Sequence, residues 1–267
     1  MMTTETIDAF EALDWQARPI DCANCPHLAM STTGKCEAQH ACVLDRYALR
    51  IDRFFRWNAA LAKDYLKHPY FEVRAIAAKY VEVFYLPQLV VDEDETVRWS
   101  AAQRLTLPQL RLLRQDPDRE VRIRVATRLP ENELKSMIND ADYYVRTIVA
   151  RRMPIGLLPL MMHDADREVR GEVAKRIAIS GLRQMAADPE VQVRLVVVRR
   201  LPAAQLSLFL HDVDWRVRYE VAQRIDEKQL QDLLADDDEA VREIAQARQR
   251  IAVPISVKKL IQCGAQL

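Results

Sequence analysis

Four of the five cysteines lie close together near the start of the chain. Cys22, Cys25, Cys36 and Cys42 follow the pattern C-x2-C-x10-C-x5-C, and Cys263 lies far away in the C-terminal tail. Thiolates clustered in this way bind zinc or an iron–sulfur cluster. Structural zinc sites usually combine two C-x2-C pairs, and here only the first pair has that spacing. The spacing favours a [4Fe–4S] cluster on these four cysteines, with zinc as the alternative.

The N-terminal sequence bears on the redox state of those cysteines. MMTTETIDAF lacks the basic and apolar regions of a secretory signal. No apolar run reaches the roughly 18 residues that cross a bilayer. We therefore expect a cytoplasmic protein without a membrane partner, in a reducing compartment where clustered cysteines bind metal rather than form disulfides. His27 and His40 lie in the same segment and are expected to be bystanders.

Composition narrows the function classes. The 267 residues carry 39 basic and 39 acidic side chains, so the formal net charge is zero and nothing drives the whole chain toward nucleic acid. The five glycines never cluster, which removes the G-x-G-x-x-G and P-loop nucleotide sites. There is no Ser-His-Asp motif and no H-E-x-x-H motif. We expect an α-rich protein that is not an enzyme.

A Val-Arg pair recurs every 24 residues without insertion or deletion. The eight pairs begin at Val73, Val97, Val121, Val145, Val169, Val193, Val217 and Val241. Most repeats also have an Asp five residues before this Val, an acid three residues before it and a Leu thirteen residues after it. Eight copies in phase indicate a tandem array of one structural unit.

The period limits what each unit contains. Twenty-four residues accommodate one α-helix of ~11 residues and one short 3₁₀ turn. In one repeat Asp188 is predicted to cap the helix, Pro189 to take its first position and Pro202 to follow its end near Leu201. A single unit cannot bury its own apolar stripe. The pattern therefore predicts an all-α solenoid of stacked units.

The Arg of each Val-Arg pair falls within the apolar arc of its helix, so it must be paired with an acid. One candidate is the acid four residues earlier, for example Asp118 for Arg122 or Asp166 for Arg170. The second candidate is the Asp at the helix start of an adjacent repeat. In either arrangement, the pairing is expected to be structural.

A second basic column lies seven residues after the repeat Val, in every repeat from Val97 onward. It contains Arg104, Arg128, Arg152, Arg176, Arg200 and Arg224, and continues at Arg248. A row of cations along one flank could bind an acidic protein or a phosphate backbone. The simpler interpretation is a solvated face paired with the many Asp residues. Few aromatic residues lie among these arginines, which argues against single-stranded nucleic acid.

These patterns divide the chain into four parts. We predict a cysteine-rich cluster-binding segment at 1–42 and one amphipathic capping helix at 43–66. Eight repeats follow at 67–250, and a C-terminal cap or tail occupies 251–267. The capping helix is expected because the first repeat has no upstream neighbour to cover its apolar face.

A four-cysteine segment followed by 24-residue repeats of the form D-P-D-x-x-V-R-x-x-V-A-x-R-L-P resembles the leucine-rich repeat variant family. The resemblance implies a right-handed superhelix of alternating α- and 3₁₀ helices. It also implies a [4Fe–4S] cluster on Cys22, Cys25, Cys36 and Cys42, and a link to nitrogen fixation. The first repeat departs from the pattern with His68 in the Asp column. Because the family's biochemical role is not settled, the resemblance gives fold and cofactor rather than activity.

The leading functional hypothesis is an interaction scaffold that binds an unidentified protein partner. Its cluster would either fix the N-terminal segment or sense oxygen and redox state. One alternative is a nucleic-acid-binding protein that uses the basic column. A second alternative is an electron-transfer protein, which requires an exposed cluster and a matched partner. The oligomeric state, the cluster potential and the role of Cys263 are left open by the sequence.

Overall fold

The computed structural model of the protein describes residues 12–252. The described residues form two compact units, which divide between Pro130 and Glu131. Each unit alternates α-helices with 3₁₀ helices, and β pairing in the described residues is confined to isolated bridges between Leu13 and Pro19 and between Glu37 and Ala41. The predicted all-α architecture is confirmed. Cys263 and most of the predicted tail lie outside the described residues, as do the first eleven residues of the predicted cysteine-rich segment.

The first unit contains the cysteine-rich segment and the first repeats. Its helices are α1 (Leu28–Ser31), α2 (Ala48–Trp57), the 3₁₀ helix η1 (Ala59–Tyr65), α3 (Phe71–Tyr80), η2 (Val83–Val91), α4 (Glu95–Ala102), α5 (Leu107–Leu110), η3 (Arg111–Gln115) and α6 (Arg119–Arg128). The repeat valines Val73, Val97 and Val121 are fully buried. Leu86 and Leu110, from the leucine column, are fully buried as well, so the repeated columns form the core.

The second unit contains the later repeats. Its helices are η4 (Glu131–Met137), α7 (Tyr143–Arg152), η5 (Ile155–Met161), α8 (Arg167–Arg176), α9 (Ile179–Leu182), η6 (Arg183–Met185), α10 (Val191–Arg200), η7 (Ala203–Phe209), α11 (Trp215–Arg224), η8 (Glu227–Leu233) and α12 (Glu239–Ala252). The same valine and leucine columns are buried here, as at Val169 and Leu158. No helix in the described part of the chain is both long and apolar enough to span a membrane.

The helix caps differ from the sequence prediction. The residue that caps α6 is Asp118, whose carboxylate accepts hydrogen bonds from the backbone N–H groups of Glu120 at 2.9 Å and Val121 at 3.1 Å. The capping acid therefore lies three residues before the repeat Val, and the helix begins two residues later than predicted. Asp188 and Pro189 accordingly both precede the cap residue Glu190 of α10.

The Asp five residues before each Val has a different role, because it pairs with the Arg of the preceding repeat. Arg98 donates to Asp116 from Nε at 2.8 Å and from Nη2 at 2.9 Å. Its Nη1 donates to the backbone oxygen of Asp92 at 2.8 Å. The same two-pronged pairing joins Arg74 to Asp92, Arg146 to Asp164, Arg170 to Asp188, Arg194 to Asp212 and Arg218 to Asp236. The structure selects the second candidate acid. The first caps its own helix in most repeats, and Arg194 pairs with Asp212 even though Glu190 makes no capping bond.

The predicted capping helix over 43–66 is two helices. A ten-residue α-helix, α2, ends at Trp57, and the 3₁₀ helix η1 begins at Ala59. Asn58 separates them with its backbone outside the helical region, at φ −135° and ψ 49°. Its side-chain amide donates to the backbone oxygen of Phe54 at 2.9 Å, within the last turn of α2. A buried Asn that bonds to a helix carbonyl terminates the helix there.

Candidate metal centre

The first two cysteines lie on one tight turn. The N–H of Cys25 donates to the backbone oxygen of Cys22 at 3.4 Å. Asp21 stabilises the turn because its carboxylate accepts from the N–H groups of Ala23 at 3.0 Å and Asn24 at 3.2 Å. Short Asp side chains favour such turns because they bond to the backbone two or three residues on. The C-x2-C spacing thus gives the expected turn with two sulfurs.

The second two cysteines are brought together by backbone pairing. Glu37 and Ala41 exchange two backbone hydrogen bonds, at 2.9 Å and 2.8 Å. Cys36 and Cys42 lie one residue outside this bridge, one at each end, so the bridge brings them close together. The five intervening residues, which looked irregular in the sequence, form a closed loop with a sulfur at each end.

Gly34 shapes the backbone that leads to Cys36. It has φ +67°, in the left-handed region that side chains disfavour. Its N–H donates to the backbone oxygen of Ser31 at 3.2 Å, directly after α1 ends. This left-handed residue lets the chain leave α1 and turn back toward the first pair of cysteines.

The second pair of thiols lies within electrostatic range of the first pair, since Cys36 is affected by Cys22 and Cys25, and Cys42 by Cys25. Burial raises the pKa of Cys36, and the neighbouring Cys25 and Cys22 raise it further. Burial also raises the pKa of Cys42 to about 12, with a contribution from Cys36. Neighbouring thiolates repel one another in the absence of cations. Metal ions are the cations that would satisfy such a donor set, and binding them would release thiol protons.

The donor set fits a [4Fe–4S] cluster, in which each of four irons takes one thiolate. Cys22 is exposed, Cys25 and Cys36 are half-buried and Cys42 is buried, so the set extends from the surface into the protein. The N–H of His27 lies 3.4 Å from Sγ of Cys25, the type of hydrogen bond that stabilises cluster sulfurs. Among residues 12–252, no three Cys, His, Asp or Glu side chains converge on the position of a single metal ion.

Polar contacts hold the cysteine-rich segment against α2 and η1. The His27 ring is hydrogen-bonded to the Tyr65 hydroxyl. The Asn58 amide donates to the backbone oxygen of Lys35 at 2.7 Å. Arg53 donates to the backbone oxygen of His40 at 2.7 Å and contacts the ring Nδ1 of His40 at 2.9 Å. The two histidines thus attach the segment to these helices.

Sequence reasoning missed Tyr65 and Asn58. Burial raises the pKa of Tyr65 to about 12, and its proximity to Cys25 and Cys42 adds to the shift. Its ring packs between Phe54 and Phe55, with centroids at 6.5 Å and 5.6 Å. Tyr65 lies 38 positions after His27. No local pattern could therefore have connected Tyr65 with the cysteines.

The structure gives the second basic column an architectural contact. Arg104, Arg128, Arg176, Arg200, Arg224 and Arg248 are half-buried, and Nη1 of each donates to a backbone oxygen 26 residues earlier. For Arg104 the acceptor is Ala78 in the last turn of α3, at 2.9 Å. The last carbonyls of a helix lack partners within the helix, and a cation there also complements the helix dipole. Arg152, the remaining member, is half-buried too.

Comparison with known proteins agrees with this arrangement. The family model described as LRV protein FeS4 cluster matches residues 12–64. That span includes all four cysteines as well as α2 and nearly all of η1. The cofactor of this segment is therefore a four-iron cluster, as the cysteine spacing predicted.

The full chain is similar to a solved structure described as a leucine-rich repeat variant with a novel repetitive protein structural motif. The identity is 43% and the TM-score is 0.82, over 86% of this chain and 98% of that one. A further relative is described as an uncharacterized 27.7 kDa protein in the nifB 3′ region of Rhodobacter capsulatus. It is 45% identical over 95 residues, which span 36% of this chain and only 39% of that protein. The chain belongs to the leucine-rich repeat variant family and carries that family's FeS4-cluster segment.

Proposed function

We propose that this protein is a non-enzymatic interaction scaffold whose [4Fe–4S] cluster is held by Cys22, Cys25, Cys36 and Cys42. The observation that carries the ligand assignment is the backbone bridge that joins the ends of the second cysteine loop. It brings Cys36 next to Cys42, within electrostatic range of Cys22 and Cys25. All four thiols also lie within the span matched by the family's cluster model.

The first role of the cluster is structural. Most residues from 21 to 40 are exposed and few are apolar, so this segment has little core of its own. Metal binding supplies folding free energy to such segments. When bound, the cluster links four thiolates and adds a redox couple. The chain's own residues, His27 with Tyr65 and Asn58 with Lys35, then fix the linked segment to the helices.

The cofactor part of the proposal is tested by anaerobic purification with iron, sulfide and zinc determinations. The expected result is four irons and four sulfides per chain and a broad absorption near 400 nm. Cys22→Ser, Cys25→Ser and Cys36→Ser are each expected to lower the iron content. Zinc without sulfide in the wild-type chain would overturn the cluster assignment.

The scaffold part rests on exposed apolar side chains. In the first unit, Phe84 is 66% exposed and Leu112 is 70% exposed. Phe84 lies in η2 and Leu112 lies in η3, the 3₁₀ helices between repeat α-helices. Leu160 and Leu208 are about half exposed in the second unit. Repeat proteins bind partners through extended surfaces of this kind. The repeated charged columns, by contrast, serve capping and pairing within the fold.

Site-specific photo-cross-linking in cells tests the scaffold. A cross-linker at position 84 or 112 is expected to trap a defined protein, and the same cross-linker at exposed Gln103 serves as the matched control. Charged substitutions at residues beside position 84 or 112 should also abolish the cross-linked adduct. Identical adducts from all three positions would contradict a specific surface.

Electron transfer is the second candidate, and one observation favours it. Cys22 is exposed, so a cluster on these cysteines would lie near the surface, where a redox partner could approach. A reversible, single-electron reduction in a potentiometric titration followed by electron paramagnetic resonance is expected if the cluster transfers electrons or senses redox state. A cluster that is destroyed on reduction and on mild oxidation would leave only the structural role.

Nucleic-acid binding has less support from the contacts. The six arginines of the second column with assigned acceptors already bond to backbone oxygens, and cations of the adjoining column pair with acids, as Arg151 does with Glu172 at 3.3 Å. Binding to DNA that weakens steeply with salt would revive this alternative. A link to nitrogen fixation rests on the family resemblance and on the description of the Rhodobacter relative. Induction of this chain together with nitrogen-fixation genes would support that link.

A further inference from the structure

A groove in the first unit combines aromatic walls with carboxylates. It encloses about 510 Å³ and lies between the N-terminal turn, the start of α3 and the start of α4. Trp15 supplies one wall, and its ring is nearly parallel to that of Tyr70, with an interplanar angle of 8° and centroids 6.0 Å apart. Phe71 packs edge-on against Tyr70 at 5.3 Å. The aromatic side is held in place by Tyr70, whose hydroxyl donates to the backbone oxygen of Arg46 at 3.2 Å.

Three further lining residues of the groove are acidic. They are Glu93, Asp94 and Glu95. Arg74 is the one cation among the lining residues. Asp92 binds it through two hydrogen bonds, at 2.8 Å and 2.9 Å, and Glu93 accepts a longer one at 3.4 Å. The groove therefore presents net negative charge beside the exposed Trp15 ring and the half-buried Tyr70 ring.

Comparison of equivalent positions in the other repeats shows which of these acidic residues the fold requires. Asp94 caps α4 by accepting from the N–H of Thr96, as the equivalent acids do in other repeats. Glu93 and Glu95 do not belong to the repeated columns, because the same two positions of the next repeat hold Pro117 and Arg119. Both glutamates are exposed, so neither is explained by core packing. Glu93 accepts a 3.4 Å hydrogen bond from Nη2 of Arg74, outside the two-pronged Arg74–Asp92 pair that the repeat shares.

We propose that this groove binds an arginine-bearing segment of a partner protein, which extends the proposed scaffold function. A guanidinium stacks on aromatic faces and binds carboxylates through two parallel hydrogen bonds. Trp15 with Tyr70 provides the first kind of contact, and Glu93 with Glu95 provides the second. The net negative charge lowers the affinity of the groove for acidic segments and for nucleic acid.

The groove is also connected to the cysteine-rich segment. Trp15 lies on the turn closed by the Leu13–Pro19 bridge, and the N–H of Arg46 donates to the backbone oxygen of Leu13 at 3.1 Å. Trp15 is thus positioned by the same segment that carries the cysteines. Loss of the cluster is expected to move Trp15 and to weaken binding.

The test uses the cluster-loaded full chain and a fluorescein-labelled octapeptide that alternates arginine and serine, with its lysine and glutamate counterparts. Fluorescence anisotropy at low salt is expected to give the tightest binding for the arginine peptide. The double variant E93Q/E95Q is expected to weaken it about tenfold, and Trp15→Ala by a similar factor. Circular dichroism confirms that each variant is folded.

The last repeat supplies a matched control. Asp237 and Glu239 occupy the same two columns and are exposed, but the aromatic wall is built from residues of the first unit. The double variant D237N/E239Q makes the same change in net charge and is expected to alter the affinity less than twofold. Equal weakening by both double variants, or equal binding of the lysine peptide, would overturn the proposal. Iron and sulfide assays on the same samples separate failure of the groove from failure of the cluster assignment.

Discussion

Arg170 binds both carboxylate oxygens of Asp188, which lies in the loop before the next repeat helix. Nε lies 2.7 Å from Oδ2, and Nη2 lies 3.1 Å from Oδ1. The third donor, Nη1, bonds to the backbone oxygen of Asp164 at 2.8 Å, within its own repeat. Both side chains are nearly buried, at 10% and 5% exposure. One guanidinium therefore fixes the spacing of two successive repeats.

Removal of this guanidinium is expected to be costly. Arg170→Ala leaves the Asp188 carboxylate buried without its counterion, and we expect the free energy of unfolding to fall by about 3 kcal/mol. Urea denaturation measures this change. The control is Arg167→Ala, because Arg167 is 62% exposed and contacts Glu168 at 3.6 Å. Its loss should change stability by less than about 0.5 kcal/mol. An equal effect of the two substitutions would show that the Arg170 pair is not structural.

One helix cap in the array can be improved. Glu190 is the cap residue of α10, but its side chain makes no capping hydrogen bond. Asp166, in the same position of the preceding repeat, accepts from the N–H of Glu168 at 2.8 Å. Glu190→Asp should restore that bond and stabilise the protein by about 0.5–1 kcal/mol.

Thermal unfolding monitored by circular dichroism checks the cap prediction. The converse substitution, Asp166→Ala, should destabilise by about 1 kcal/mol because it removes a working cap. A lower melting temperature for Glu190→Asp would contradict the prediction that the shorter side chain caps α10.

Stability should fall in acid because of Asp236. Its hydrogen bond from Arg218 lowers the pKa of Asp236 below the ordinary value of 3.8. A carboxyl whose pKa is lower in the folded chain than in the unfolded chain stabilises the fold above the unfolded value. That contribution is lost as the pH falls through the folded pKa. We therefore expect this part of the stability to be constant near neutral pH and to decline below about pH 4.

Urea unfolding at a series of pH values measures this decline. Arg218→Gln removes the hydrogen-bond donor, so the part of the acid decline that comes from Asp236 should shrink. Asp232→Asn changes an exposed carboxylate of η8 and should leave the wild-type profile intact. A profile for Arg218→Gln as steep as that of the wild type would assign the acid sensitivity to other groups.

Substitution by serine should distinguish the four cluster ligands from Cys263, which is not expected to bind the cluster. Cys42→Ser removes the buried member of the four-cysteine set and is expected to abolish most of the iron and sulfide content. Cys263→Ser removes the cysteine outside that set and is expected to leave both at the wild-type level. Iron and sulfide determinations after anaerobic purification measure the difference. Full cluster content in Cys42→Ser would exclude it as a required ligand.

Much of the fold could be predicted because its determinants are local and recur. The Val column at Val73 and Val97 and the Leu column at Leu86 each repeat every 24 residues, and all of these residues are fully buried. The turn that carries the C-x2-C pair could be predicted equally well, because Cys22 and Cys25 lie only three positions apart in the sequence. Where one residue interrupts a pattern, as Asn58 does between α2 and η1, the prediction of a single helix was wrong.

The sequence by itself determined the period, the buried faces, the helix content and the cysteine set, because each depends on spacing within one short stretch. Only the tertiary structure decided which acid neutralises each buried arginine. Arg98 lies four residues after Asp94 and eighteen before Asp116, and it pairs with Asp116 while Asp94 caps α4. Packing likewise brought Tyr65 to His27 and Trp15 to Tyr70. Contacts between residues far apart in sequence follow from how helices stack, which a pattern of residue types does not specify.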